Sequence, residues 1–159
     1  MAARLTSGRM TAERCDVVTE RQEVITKTDS RRLHEMIGSI RQSLPTLGHP
    51  LESYLSDLEG HLARTATVPP TSVDAETVTM NSKVRLRDLD SRTSQVVTLV
   101  YEADADVFGE KLSVLTGLGA SLLGARLGDV VEWETRRGPR RMQVERILFQ
   151  PEAAGEFDL

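Results

Sequence analysis

Apolar side chains recur at three- and four-residue steps from Leu33 through Met36, Ile37, Ile40 and Leu44, which gathers them on one helical face. Thr28, Asp29 and Ser30 precede the stripe and offer N-capping side chains. Pro45 ends it, because proline restricts the residue before it. Thr46-Leu47-Gly48-His49 forms a tight connection, and Pro50 stands where a first helical residue is expected. A second stripe follows at Leu51, Leu55, Leu58 and Leu62, spaced 4, 3 and 4. Two stripes joined by a short turn predict an antiparallel helical hairpin, a short coiled coil. Each helix has about 15 residues and a length of about 22 Å. Helices that short are marginal alone and need packing against the rest of the chain.

Past Thr65 to Ser72, which with Pro69-Pro70 reads as a linker, the period changes from 3.6 to two. Val78, Met80, Val84 and Leu86 alternate with polar residues up to Arg87, the pattern of a half-buried strand. Asp88–Ser91 is a turn, and Ser94–Tyr101 is a second, β-branched strand. Glu102–Lys111 is an acidic loop before a third strand at Leu112–Leu115. Thr116–Gly119 leads into one short helix, Ala120–Ala125. Val130–Thr135 and Arg141–Phe149, joined through a Gly138-Pro139 turn, read as a hairpin. The expected fold is α+β: an N-terminal helical hairpin followed by an antiparallel β-sheet domain with one short helix. The expected divisions are an extension (1–23), the hairpin (24–66), a linker (67–73) and the sheet domain (74–159). Val24-Ile25 is an extended lead-in to the first helix.

Charge narrows the function. The 159 residues carry a net charge of −4. Residues 1–69 are neutral, and residues 70–159 carry the excess with eleven Lys/Arg against fifteen Asp/Glu. A mildly acidic chain without a basic block is a poor direct binder of DNA, since phosphate contacts dominate that affinity. Arg136, Arg137, Arg140 and Arg141 form the one basic cluster, and a solvated turn is the plain reading of it. Six aromatic residues limit stacking platforms for bases or flat cofactors. Cys15 stands alone, which excludes an intrachain disulfide and fits a reducing compartment. The first 23 residues hold no apolar stretch resembling a signal peptide, and no run approaches about 20 apolar residues. A cytoplasmic protein is expected.

Candidate chemistry is sparse. His34, His49 and His61 lie in the helical half without a second ligand at metal spacing, and read as surface histidines. Gly117-Leu118-Gly119 lacks the strand–loop–long-helix setting of a phosphate site. Glu102, Asp104 and Asp106 alternate and have the oxygens to hold a cation, although such a trio is more often a solvated loop. Trp133, between Glu132 and Glu134 on a strand, is expected in the core; the floor of a ligand pocket is the alternative. No nucleophile, base and oxyanion site assemble, so no enzyme, cofactor or metal is expected.

An ordered set of motifs adds to this reading. Val78-Thr79-Met80-Asn81-Ser82, Thr98-Leu99-Val100-Tyr101 and Leu112-Ser113-Val114-Leu115 resemble the GreA/GreB family, in its branch of regulators of nucleoside diphosphate kinase. So do Gly119-Ala120-Ser121-Leu122-Leu123-Gly124, Gly128-Asp129 and Gln150-Pro151-Glu152-Ala153-Ala154-Gly155. The resemblance covers about residues 24–159 and is densest from 74 onward. It implies a sheet domain like that of FK506-binding proteins (FKBP-like), which grips the rim of the RNA polymerase secondary channel, and a coiled coil that enters the channel. By the same resemblance, Thr116, Gly117, Leu118, Gly119 and Ser121 face polymerase, in a loop that here lacks the family's proline. Cleavage-stimulating relatives carry paired acids at the hairpin tip that help to hold a Mg²⁺. The tip here, with Thr46, Leu47, Gly48 and His49, has no acid before Glu52. The resemblance therefore implies a monomeric, non-enzymatic regulator that docks on polymerase and competes with cleavage factors without cutting transcripts. The alternatives are a prolyl isomerase on the FKBP-like fold and a direct partner of nucleoside diphosphate kinase.

Overall fold

The computed structural model describes residues 22–44, 48–106, 108–157 and 159. Residues 1–21 of the expected extension, and Pro45, Thr46 and Leu47 of the expected tip, lie outside the described residues. A short strand β1 (Val24–Thr26) leads directly into helix α1 (Lys27–Ser43). The cap is Thr26, ahead of the expected Thr28–Ser30: its hydroxyl accepts the Asp29 N–H at 3.0 Å. That leaves Asp29 in the first turn, where it has another task. Helix α2 (Pro50–Arg64) opens with Pro50 as its first residue and His49 as its cap. Strand β2 (Ala66–Val68) then returns beside β1 in parallel, Val24 opposite Ala66 and Thr26 opposite Val68. Thr67 and Val68, expected in a linker, are thus tied into a sheet, because the two ends of the helical segment come together there.

The two helices bury the stripes read from sequence, unevenly. Leu33, Ile37, Leu55, Leu58 and Leu62 are buried, whereas Met36, Ile40, Leu44 and Leu51 are only partly so. Apolar burial is deep toward the β1–β2 end, where the sheet domain adds a third wall, and fades toward the connection.

The main sheet has five strands in the order β5-β4-β3-β7-β6. They are β3 (Lys83–Asp88), β4 (Ser94–Val100), β5 (Lys111–Ser113), β6 (Val130–Thr135) and β7 (Gly138–Phe149). β3 occupies the centre between β4 and β7, antiparallel to both. Two register shifts leave Leu148 and Glu145 as extra residues on β7 opposite β3, and such bulges increase local twist and curl the sheet. Val84 and Leu86 on β3, Leu99 on β4 and Val144 on β7 point into one core with Ile25, Leu33 and the α2 leucines.

Four expectations change. The sheet is not wholly antiparallel: β5 runs parallel to β4, pairing Thr98 with Lys111 and Val100 with Ser113. Alternation reports which face a side chain takes and carries no strand direction, so this pairing was invisible in the pattern. The strand expected from Val78 begins only at Lys83. Asn81 sits at φ +62°, a left-handed conformation that asparagine tolerates, and breaks the extended run. Val78 keeps its inward place by exchanging hydrogen bonds with the 124–125 segment: its N–H donates to Ala125 O at 2.7 Å, and Gly124 N–H donates to Val78 O at 2.9 Å. The short helix, α3 (Gly117–Leu122), starts three residues early because Thr116 caps it. The β6–β7 turn consists of Arg136 and Arg137, closed by the Thr135–Gly138 pair, so Pro139 belongs to the strand.

This gradient of burial predicts a gradient of stability. Leu58→Ala, a fully buried truncation, is expected to cost about 3 kcal/mol, and Leu51→Ala about 1 kcal/mol or less. Urea unfolding of the two variants, followed by circular dichroism, checks the difference.

Candidate interaction site

The residues before α3 are shaped by close backbone packing. The Thr116 hydroxyl donates to Ser113 O at 2.7 Å and accepts from Gly119 N–H at 3.0 Å, which folds the loop onto the end of β5. A side chain at Gly119 would place its Cβ 2.0 Å from Ser113 O, so only glycine fits. At Gly117 a Cβ would come within 3.1 Å of the Trp133 indole, which lies against it. The Gly-x-Gly spacing is thus explained by packing. Of the five expected contact residues, Leu118 is buried in the core and Gly119 is buried against β5. Thr116, Gly117 and Ser121 reach the surface together. The Ser121 hydroxyl lies 2.8 Å from Gly117 O and 3.1 Å from Glu132 O, which joins α3 to β6.

These three line a cleft of about 430 Å³ between α2 and the sheet domain. Trp133 and Glu134 form its β6 side, and Tyr54, Asp57, His61 and Arg64 its α2 side. The four α2 residues fall three and four apart, a second face of α2 that the apolar stripe does not use. Trp133 is half-buried: it packs against the core, as expected, and it also borders the cleft. His61 is no surface histidine: its side chain is 13% exposed, and Nε2 lies 2.8 Å from Leu123 O and 3.5 Å from the Glu23 carboxylate. It joins α2 to the end of α3. His34 and His49 are exposed as expected, His49 accepting the Leu51 N–H at Nδ1.

At the far end of the helices, Gly48 takes φ +92° before the His49 cap. Glu52 is not free. Arg41 reaches across from α1 and holds it at 2.7 Å, and the same guanidinium holds both oxygens of Glu59 at 3.0 Å. Those bonds keep the Glu59 carboxyl below the usual carboxylate range. The acidic loop is also committed: Glu102 accepts from the Ser113 hydroxyl, and Asp106 accepts the Phe108 N–H at 3.0 Å. Among the described residues, no group of three or more His, Cys, Asp or Glu gathers as a metal would require.

The helices join the sheet domain through Asp29. This carboxylate is 2% exposed, accepts the Met80 N–H at 3.2 Å, and takes the Tyr101 hydroxyl at 3.2 Å. Burial pushes its pKa from the ordinary 3.8 to about 6; the Met80 N–H opposes this, while nearby Glu152 adds to it. The Tyr101 hydroxyl is itself pushed up, by burial first and by Asp29 next, so it remains a donor. Sequence reading placed Asp29 among capping residues; its contact with Met80, 51 residues away, leaves no local signal.

The described residues thus bring together an aromatic-edged cleft and a pair of helices. A family model described as "Transcription elongation factor, GreA/GreB, C-term" matches residues 73–149. The chain is 39% identical over 101 residues to the regulator of nucleoside diphosphate kinase of Escherichia coli (strain K12), covering 63% of this chain and 74% of that one. It is 29% identical over 134 residues to transcription elongation factor GreA of Chlorobium phaeobacteroides (strain BS1), covering 82% and 84%. Among solved structures, a GreA/GreB elongation factor from Nitrosomonas europaea superposes with a TM-score of 0.62 at 35% identity, covering 80% of this chain and 98% of that one. The chain belongs to the GreA/GreB family, with that family's α+β fold, and its likeness includes the regulators of nucleoside diphosphate kinase. No helix among the described residues is long and apolar enough to cross a membrane.

Two outcomes follow from this geometry. Gly119→Ala is expected to destabilise the fold by about 2–3 kcal/mol, because Ser113 O is backbone and must move; chemical denaturation measures it. For Asp29 the folded state binds the proton more tightly than the unfolded chain. Its contribution to stability is therefore full below about pH 4, falls as pH rises to about 6, and is constant above. The total change is about 3 kcal/mol. Asp29→Asn, which cannot titrate, should gain on the wild type across that window and run parallel above it, in melting temperatures recorded from pH 4 to 8.

Proposed function

We propose that this protein is a non-enzymatic regulator that docks on RNA polymerase at the rim of the secondary channel. The FKBP-like sheet domain grips the rim through the Trp133 cleft, and the helical pair, an antiparallel hairpin, enters the channel. The protein acts as a cytoplasmic monomer, competes there with cleavage-stimulating relatives, and does not itself stimulate cleavage. Family membership supports the partner. The observation that carries the absence of cleavage is Glu52: the first acid beyond the connection is tied to Arg41 instead of being open to a cation. Holding a weakly bound Mg²⁺ needs carboxylate oxygens free to converge on it.

The test uses a backtracked elongation complex. Added alone, the protein should leave transcript cleavage at its intrinsic rate; added with a Gre cleavage factor, it should slow cleavage in proportion to its concentration. Acceleration by the protein alone would overturn the reading. Tyr54→Ala, at a half-exposed cleft residue, should weaken that competition about tenfold with an unchanged melting temperature. A proline-isomerisation assay should give background rates, and capture from extract should recover polymerase subunits without nucleoside diphosphate kinase.

A further inference from the structure

Beyond the Asp88–Met142 pair, where Leu89 N–H still donates to Arg141 O at 3.3 Å, the β6–β7 hairpin runs on as two strands with no third beside them, through Trp133–Arg140, Glu134–Pro139 and Thr135–Gly138. Arg136 and Arg137 form its turn and Arg141 its flank, all exposed. Arg87, at the end of β3, and Arg92, in the adjoining turn, are exposed at the same end of the sheet. None of these five side chains makes an ion pair or hydrogen bond with another described residue. Arg140 is different: the buried Asp88 carboxylate holds it while also accepting the N–H groups of Asp90 and Ser91. That pair fastens the hairpin to the β3–β4 turn and leaves the other guanidinium groups outward. The acids at this end are Asp88, Asp90, Glu132, Glu134 and Glu145, whose carboxylate reaches the Ser94 hydroxyl beside Arg87, so six arginines stand against five carboxylates in a chain of net charge −4.

We infer that this arginine-bearing hairpin end is a second docking surface, for an acidic polypeptide segment of the polymerase beside the segment that fills the cleft. The inference rests on the docking reading above and deepens it. Trp133 and Glu134 line the cleft, and Arg136 follows Glu134 two residues on, in the turn just past the end of the strand and about 7 Å further. A partner that seats in the cleft and extends past the hairpin tip meets Arg136 and Arg137 at its margin, while Arg87 and Arg141 stand on the other face of the sheet. Charge is also separated along the sheet: Glu102, Asp104, Asp106 and Glu110 stand past the opposite end of β4, about 20 Å away. Such a separation orients a molecule as it approaches an oppositely charged surface and raises the association rate. Blunting an open strand edge is the plainer use of charge, but Pro139 already removes a donor there. Nucleic acid fits less well. Glu132 and Glu134 alternate with the cations, and the rest of the chain is acidic and repels phosphate.

The test is binding kinetics on immobilised core RNA polymerase with the full chain. The triple variant Arg136→Glu, Arg137→Glu, Arg141→Glu should associate about tenfold more slowly at low salt, with dissociation within about twofold of wild type. The difference should close at about 0.5 M salt. The matching triple lysine variant should keep the wild-type rate. An unchanged association rate in the glutamate variant, with an unchanged melting temperature, overturns the inference. So does wild-type binding to a labelled single-stranded RNA or duplex DNA that the glutamate variant loses, since the surface then serves phosphate. If wild type fails to bind polymerase at all, the docking reading falls first and this surface falls with it.

Discussion

Asp29 is the polar contact on which the arrangement of the two halves turns. It stands in the first turn of α1 and accepts hydrogen bonds from Met80 and Tyr101, one in the segment before β3 and the other just after β4. A buried carboxylate is costly unless its oxygens are satisfied. Both partners must therefore stay in place, and with them the angle at which α1 leaves the sheet domain. Around this contact the core is continuous: Leu33, Ile37 and the α2 leucines pack in the same cluster as Met80, Leu99, Leu122 and Leu123. The base of the helices is part of the folded body. Their far half, with Ile40, Leu44 and Leu51 only partly covered, relies on the two helices alone and on the Arg41 bridge to Glu52 and Glu59.

The groups that resemble chemistry in the sequence are each absorbed by structure. The Gly-x-Gly run is a packing device against Ser113 and Trp133. In the 102–110 loop Asp106 holds its own turn and Glu102 the end of β5, and His61 ties α2 to α3. Among the described residues, the Trp133 cleft and the arginine-rich hairpin end remain outward. Both lie where strands and helices end, so their placement follows from strand and helix geometry.

Much of the architecture was legible in the sequence because period is a local property. The two helical stripes, the switch to alternation after the prolines, and Val130–Thr135 as a strand all follow from side chains a few residues apart. Of the proposed contact residues, Thr116, Gly117 and Ser121 reach the cleft, while Leu118 and Gly119 are consumed by packing. A motif marks a loop without saying which of its members face outward, since that depends on what lies behind them.

Composition and spacing by themselves determined that this chain has paired helices ahead of a β-rich domain, and the motifs placed it in its family. Only the tertiary structure decided that β5 runs parallel to β4, that Asp29 clasps Met80 and Tyr101, and that α2 and Trp133 share a cleft. Hydrophobic periodicity records which face of an element is buried. Strand direction, long-range hydrogen bonds and clefts depend on which buried faces meet, and partners 51 or 72 positions apart, as Asp29 is from Met80 and Tyr101, leave no periodic trace of their meeting.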